Sequence, residues 1–364
     1  MTRRRFLLVV AAFVAASNGL GGVFAYRAAP AALPDRLANQ DFWKLSSNLS
    51  ELSGFFRSDN LLSNEVFLQY VVPELTRLSK PGRVYLGVGP EQNFTYIAAL
   101  KPAMAFIIDV RRGNLDLHLM YKALFELSTD RADFVSRLFS RRRPDGLTAS
   151  SSVADIFRAF EHVEPSEPFY RENLHAIERQ LTTTHGFALT SDDLGGTKGL
   201  EFIYKAFFTF GPDLTYSSIN GFGGFGGGRA MPTYADLMTL TDEGGQARGY
   251  LSSEASFAVV RDLERRNLIV PVVGNFGGPK AIRAVADYLK EHQALVSAFY
   301  LSNVEQYLRQ DAIWSDFCRS AATLPIDGTS LFIRSTRGGR NGGFGSLSNE
   351  IEPIADVVKS CGPQ

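Results

Sequence analysis

Apolar positions near the start of the body recur at a helical period. Phe42, Leu45, Leu49, Leu52 and Phe56 predict one helix, and Val66, Phe67, Tyr70 and Val71 predict a second that Ser63 would cap. The pattern then changes. Arg83 to Gly89 is a short apolar run ending in glycines, Glu91 to Leu100 reads as a helix, and Ala103 to Val110 is a second apolar run with Asp109 near its end. Asn114 to Leu127 is helical again. Strand, glycine turn, helix, strand, helix is the order of a parallel-sheet nucleotide-binding unit.

Helical periodicity dominates the middle, at 131–140, 153–161, 168–182 and 197–209, so about 128–255 reads as a mostly helical insertion. The α/β rhythm returns with a helix over 253–266, strands at Leu268–Gly274, Ala294–Leu301 and Ser330–Arg334, and helices at 279–292 and within 304–321. Two glycine-rich loops, at 220–229 and 337–345, interrupt the body, and a short helix is expected at about 350–359. The whole predicts a single α/β domain over 41–360, Rossmann-like, with N-terminal helices ahead of a parallel sheet.

The first 25 residues follow a different logic. Arg3, Arg4 and Arg5 precede an apolar stretch from Phe6 to about Ala16, too short to span a bilayer and matching the core of an export signal. Val23-Phe24-Ala25 offers small residues for cleavage after Ala25, and an Ala/Pro-rich linker covers 26–40. Thr-Arg-Arg-Arg-Phe-Leu resembles the twin-arginine signal, which implies export of a folded protein to the periplasm or beyond. An uncleaved signal would be the chain's one membrane contact. Cys318 and Cys361 could then pair in an oxidising compartment, or remain one buried and one free thiol.

Composition narrows the class. The 364 residues are 45% hydrophobic and carry 38 Lys+Arg against 38 Asp+Glu, which excludes disorder and argues against a nucleic-acid binder. A small-molecule ligand is the expected partner. Five histidines lack metal-binding spacing, two distant cysteines make no zinc site, and neither a nucleophile elbow nor a P-loop is present.

Chemistry concentrates in loops after the expected strands. Gly87-Val88-Gly89 opens a helix, where backbone amides favour an anion. Asp109 follows 22 residues after Gly87, where an acid binds ribose hydroxyls. Glu91, Gln92, Asn93, Arg111, Arg112, Asn114, Asn275, Ser302, Asn303, Glu305 and Gln306 lie in comparable loops that a parallel sheet brings to one crevice, and Arg57, Asp59, Asn60, Ser63, Asn64 and Glu65 could close over it. On YLGVGPEQN, FIIDV and GNFGGP (274–279), the chain resembles class I S-adenosylmethionine-dependent methyltransferases over 80–127 and more loosely over 265–335.

That resemblance implies a methyltransferase-type sheet and an S-adenosylmethionine site. Gly87, Gly89, Gln92, Asn93, Asp109, Asn114 and Asn303 would hold the cofactor, and Glu91, Asn275 or Glu305 would orient the methyl acceptor or take its proton. Tyr85 stands where that family carries an acid, and Pro90, Glu91 and Gln92 follow in place of a third glycine. The other reading is therefore a non-catalytic periplasmic binding or scaffolding protein that keeps the fold without the cofactor. Tyr85 or Phe94 filling the space beside Gly87 would favour the second; an open pocket joining Gly89, Asp109 and Asn303 would favour the first.

Overall fold

The computed structural model describes residues 32–219, 231–337 and 347–361. The expected signal segment and both glycine-rich loops, apart from Arg337, lie outside the described residues. Six strands form one sheet: β1 (Val84–Gly87), β2 (Met104–Asp109), β3 (Ile269–Val273), β4 (Val296–Ser302), β5 (Leu331–Arg337) and β6 (Leu347–Pro353). Their order is β3-β2-β1-β4-β5-β6; the first five are parallel and β6 runs antiparallel to β5. Every residue of β1, β2 and β3 is buried, which is why these strands read as unbroken apolar runs.

Chain direction across the sheet reverses between β1 and β4. From β1 the chain builds outward through β2 to β3, then returns to β4 and builds the other way. Two helix groups pack among themselves accordingly. Gln92–Leu100, Arg112–Leu127 and Glu254–Arg265 form one, and Asn39–Leu49, Ala281–Glu291 and Trp314–Ala321 the other. Right-handed crossovers on either side of the reversal require this division.

The insertion joins the helices Arg112–Leu127 and Glu254–Arg265 and is mostly helical, as the periodicity predicts. It is welded to the rest by aromatic rings. Phe125 and Phe134 stack with centroids 4.6 Å apart, and Phe94, Tyr250 and Phe257 close around them. Each such ring contributes about 1.5–3 kcal/mol by burial. Arg131, fully buried, ties the same region together by donating to Glu254 and to the carbonyls of Leu251, Ala149 and Ser151.

Several expectations need correction. The first helix runs Asn39–Leu49, so the last expected linker residues are helical, while Leu52 and Phe56 lie beyond it in a segment without regular structure. Val66–Val71 form turns rather than a helix; Pro73, free of any need for an N–H, starts the helix Val72–Leu78. The expected helix at 350–359 is half strand, because LSNEIEP pairs along β5 before Ile354–Ser360 turns helical. Cys318 and Cys361 are joined in a disulfide, pinning that last helix to Trp314–Ala321.

Candidate functional site

A crevice opens over the carboxyl ends of the strands on both sides of the reversal. Val88 and Gly89 follow β1, Asp109 ends β2, Gly274 and Asn275 follow β3, and Ser302 and Asn303 close β4. Asn60, Ser63, Tyr216 and Tyr307 complete its walls, and the enclosed volume is ≈ 140 Å³. Ligands in doubly wound sheets bind at this topological switch point. Ser302 is in the left-handed region at φ 50°, with its hydroxyl 2.5 Å from the Glu65 carboxylate it donates to. A non-glycine residue held there stores about 1–3 kcal/mol of strain, and such strain clusters at functional sites.

The loop after β1 is fixed from inside. Gly89, at φ +75°, makes the turn that a side chain would strain. Its carbonyl accepts from Asn93 Nδ2 (3.2 Å), Asn114 Nδ2 (3.2 Å) and His118 Nε2 (2.9 Å). The same Asn93 amide donates to the carbonyls of Val88 and Pro90 at 2.9 and 2.7 Å. Because a trans peptide sets C=O and N–H on opposite sides, the inward Val88 carbonyl turns the Gly89 N–H outward. Burial pushes the His118 imidazole down to about 4, so at neutral pH it is an uncharged donor.

Asn93 also fills the space that the glycine pattern reserves. A Cβ at Gly87 would stand 1.9 Å from Asn93 Oδ1 and 2.9 Å from the Tyr85 hydroxyl, which donates to that oxygen. Gly87 therefore accommodates protein, not a ligand, and Asn93 staples the loop. Neither lines the crevice.

The Asp109 carboxylate faces the crevice but is already engaged. Arg111 grips it through Nε (3.0 Å), Nη2 (2.9 Å) and its backbone N–H (2.9 Å), and also donates to the carbonyls of Ser58 and Asn60. Three of the four lone-pair sites of the carboxylate are used, leaving one on Oδ2. Gln92 lines the crevice with its Nε2 bound to Val88 O and Tyr300 and its buried Oε1 lacking a donor.

The three expected acid–base groups separate. Asn275 lines the crevice, its Oδ1 accepting from the Gly277 N–H. Glu91 is fully buried away from it; burial pushes its carboxyl up to about 8, and Oε1 accepts from the Ser63 N–H. Glu305 is locked by Arg334 through both carboxylate oxygens. No carboxylate other than Asp109 and Asp311 lines the crevice among the described residues. Asn303 lines it, whereas Asn114 faces a neighbouring cavity.

That cavity, ≈ 480 Å³, lies across a wall formed by Phe55, Phe56, Asn60 and Arg111, which line both spaces. Its far side comes from the insertion, with Asp193, Lys198 and Phe202. Sequence reasoning missed it. The signal was there in Asp116 and the acidic turn Asp192-Asp193, but only folding brings these two helices together.

Fold and crevice together define a Rossmann-like α/β protein with a cleft at its switch point. The chain belongs to the family described as Domain of unknown function (DUF7790), whose model matches residues 61–185 and 229–352. Those stretches hold the sheet up to the last residue of β6 and most of the crevice, and omit the turn carrying Asp192, Asp193 and Lys198. No curated protein matches the chain.

Proposed function

We propose that this is an exported small-molecule-binding protein that keeps a methyltransferase-type sheet without methyl-transfer chemistry. The observation that carries the reading is the Asn93 side chain standing beside Gly87, where the S-adenosylmethionine resemblance reserves open space. The Arg111 grip on Asp109 and the withdrawal of Glu91 and Glu305 support it, since they engage the expected ribose-binding acid and take two of the three expected acid–base groups out of the crevice. Asn275 and Asn303, which line the crevice, suit a small polar ligand bearing hydroxyl or amide groups. Export is supported by the Cys318–Cys361 disulfide, which persists in an oxidising compartment.

A second reading, methyl transfer, draws on one observation: the crevice does join Gly89, Asp109 and Asn303, and Asp109 Oδ2 keeps an acceptor site. Thermal-shift titration separates the two. The chain is titrated with S-adenosylmethionine, S-adenosylhomocysteine, NAD and NADP, and with a panel of sugars, amino acids and polyols. A ligand binding only the folded state raises the midpoint by mass action. The binding-protein reading expects no response to the four nucleotides and a rise with a member of the panel. A rise with S-adenosylhomocysteine that Asp109→Ala abolishes overturns it.

A further inference from the structure

Ser302 ends β4, and the helix Val304–Gln310 begins two residues later. Pairing with β5 shifts register just before it: Tyr300 faces Ile333 and Ser302 faces Arg334, so Leu301 is an extra residue. Such bulges bend a strand and re-aim a side chain, and they are over-represented beside active sites. Here the bend leaves Ser302 at φ 50°, partly exposed and lining the crevice. A serine on a strained strand-to-helix turn is the arrangement that presents a nucleophile above the carboxyl ends of a sheet. Tyr300 and Val304 stand where the usual motif carries glycines, so the bulge rather than a glycine pair makes this turn.

A carboxylate lies behind the hydroxyl. Ser302 Oγ donates to Glu65 Oε1 at 2.5 Å, a length typical of a hydroxyl on a carboxylate. Glu65 is buried and does not itself line the crevice. Its other oxygen accepts from Asn349 Nδ2 at 2.7 Å, and its backbone N–H donates to Ser63 Oγ at 3.1 Å. A hydroxyl bonded to a base that a third group orients is the signature of an activated nucleophile. Asn303, next in the chain, lines the crevice with its amide Oδ1 3.5 Å from the same hydroxyl.

We propose that Ser302 is a catalytic nucleophile with Glu65 as its general base, acting on short-chain carboxylic esters. The inference rests on the small-molecule reading of the crevice and adds a reaction to it. Ser302 Oγ attacks the ester carbonyl carbon while its proton passes to Glu65. The bond from that carbon to the alcohol oxygen breaks, and the departing oxygen takes the proton from Glu65. Water then attacks the acyl carbon, gives a proton to Glu65, and Ser302 Oγ recovers that proton as the acid leaves. Ester and water become acid and alcohol, with nothing else consumed. The Asn303 side-chain amide serves the oxyanion as a donor. A crevice of ≈ 140 Å³ suits a short acyl chain, for which Phe56 and Phe276 offer apolar walls.

The full-length protein is mixed with 4-nitrophenyl acetate, and release of 4-nitrophenol is followed by stopped flow. Acid-quenched samples are digested and mapped by mass spectrometry. The expected result is a stoichiometric burst with an acetyl group on Ser302. Ser302→Gly suits φ 50° without strain, so it should keep the melting transition and lose both the burst and the mapped acetyl group. Glu65→Gln keeps an oxygen for Asn349 and offers Ser302 an amide donor. It should also keep the melting transition and slow the burst by about 100-fold, a usual worth of a general base.

Absence of an acetyl group on Ser302, acetylation confined to lysines or the amino terminus, a burst that persists in Ser302→Gly, or an unchanged rate in a folded Glu65→Gln would each overturn the proposal. If Glu65→Gln does not fold, the wild-type adduct and Ser302→Gly carry the test alone. Thermal-shift titration of the crevice reads reversible occupancy, whereas the acetyl adduct reads the hydroxyl. A panel response without an adduct therefore removes the nucleophile alone, and an adduct without a panel response removes only the reversible-binding reading.

Discussion

Replacing Gly87 by Ala tests the packing on which the functional reading rests. The new methyl group would lie 1.9 Å from Asn93 Oδ1 and 2.9 Å from the Tyr85 hydroxyl, both buried. Overpacking of this kind costs about 1–3 kcal/mol. Displacing Asn93 breaks its bonds to three loop carbonyls and leaves the Tyr85 hydroxyl without its acceptor, adding about 1–3 kcal/mol. The single substitution should therefore destabilise by about 2–6 kcal/mol. Asn93→Ala alone should cost about 1–3 kcal/mol from the same lost bonds. In the double variant the methyl group enters space that Asn93 has vacated, so the two costs should not add. The expected coupling is at least about 2 kcal/mol. Urea unfolding of the four proteins, with slopes compared as well as midpoints, measures it. A stable Gly87→Ala protein, or strictly additive costs, would mean that the space beside Gly87 is open and would return the cofactor reading to first place.

Stability should fall as pH rises from 5 to 8. Burial raises the carboxyls of Glu91, Asp116 and Glu264 to about 8 each, so the folded chain holds protons that the unfolded chain releases above about 4. His118, lowered to about 4 by burial, opposes this only below its unfolded value near 6.5. Each group is worth at most about 1.4 kcal/mol per pH unit, so the decline should steepen above about pH 6.5; a urea midpoint that climbs toward pH 8 refutes it. Reducing Cys318–Cys361, which closes a loop with a sequence separation of 43, should cost about 4 kcal/mol and lower the melting temperature in dithiothreitol. An unchanged melt would contradict the closure argument. Arg131→Met should cost about 3–5 kcal/mol by stranding Glu254 and three carbonyls, and a calorimetric loss below about 1 kcal/mol would show that water takes over those bonds.

The fold was more legible than the site. Val84–Gly87, Met104–Asp109 and Ile269–Val273 are buried on both faces, so their sequences are continuous apolar runs closed by glycine, proline or polar residues. β6 escaped notice because an edge strand with one open side can carry Ser, Asn and Glu, and its pairing with β5 is a long-range fact. Among the site residues, Gln92, Asp109, Asn275 and Asn303 reach the crevice because strand ends converge there by topology alone. Asn93, Glu91 and Glu305 occupy equivalent loop positions in sequence yet turn elsewhere, toward loop carbonyls, into the core or onto Arg334.

By itself the sequence determined what depends on local pattern: an α/β body, a glycine turn after β1, an acid at the end of β2 and a helical insertion. Periodicity, turn chemistry and short spacings are properties of neighbouring residues, and they survive in one dimension. Tertiary structure alone decided which groups are free. Gly87 is a cradle in sequence and a packed contact in the fold; Asp109 is an acid in sequence and half of an ion pair with Arg111 in the fold. The larger cavity exists only because the insertion lays Asp193 and Lys198 against the helix that carries Asn114 and Asp116. Availability of a lone pair or a few cubic ångströms of space is set by partners distant in the chain, and spacing along the sequence does not encode it.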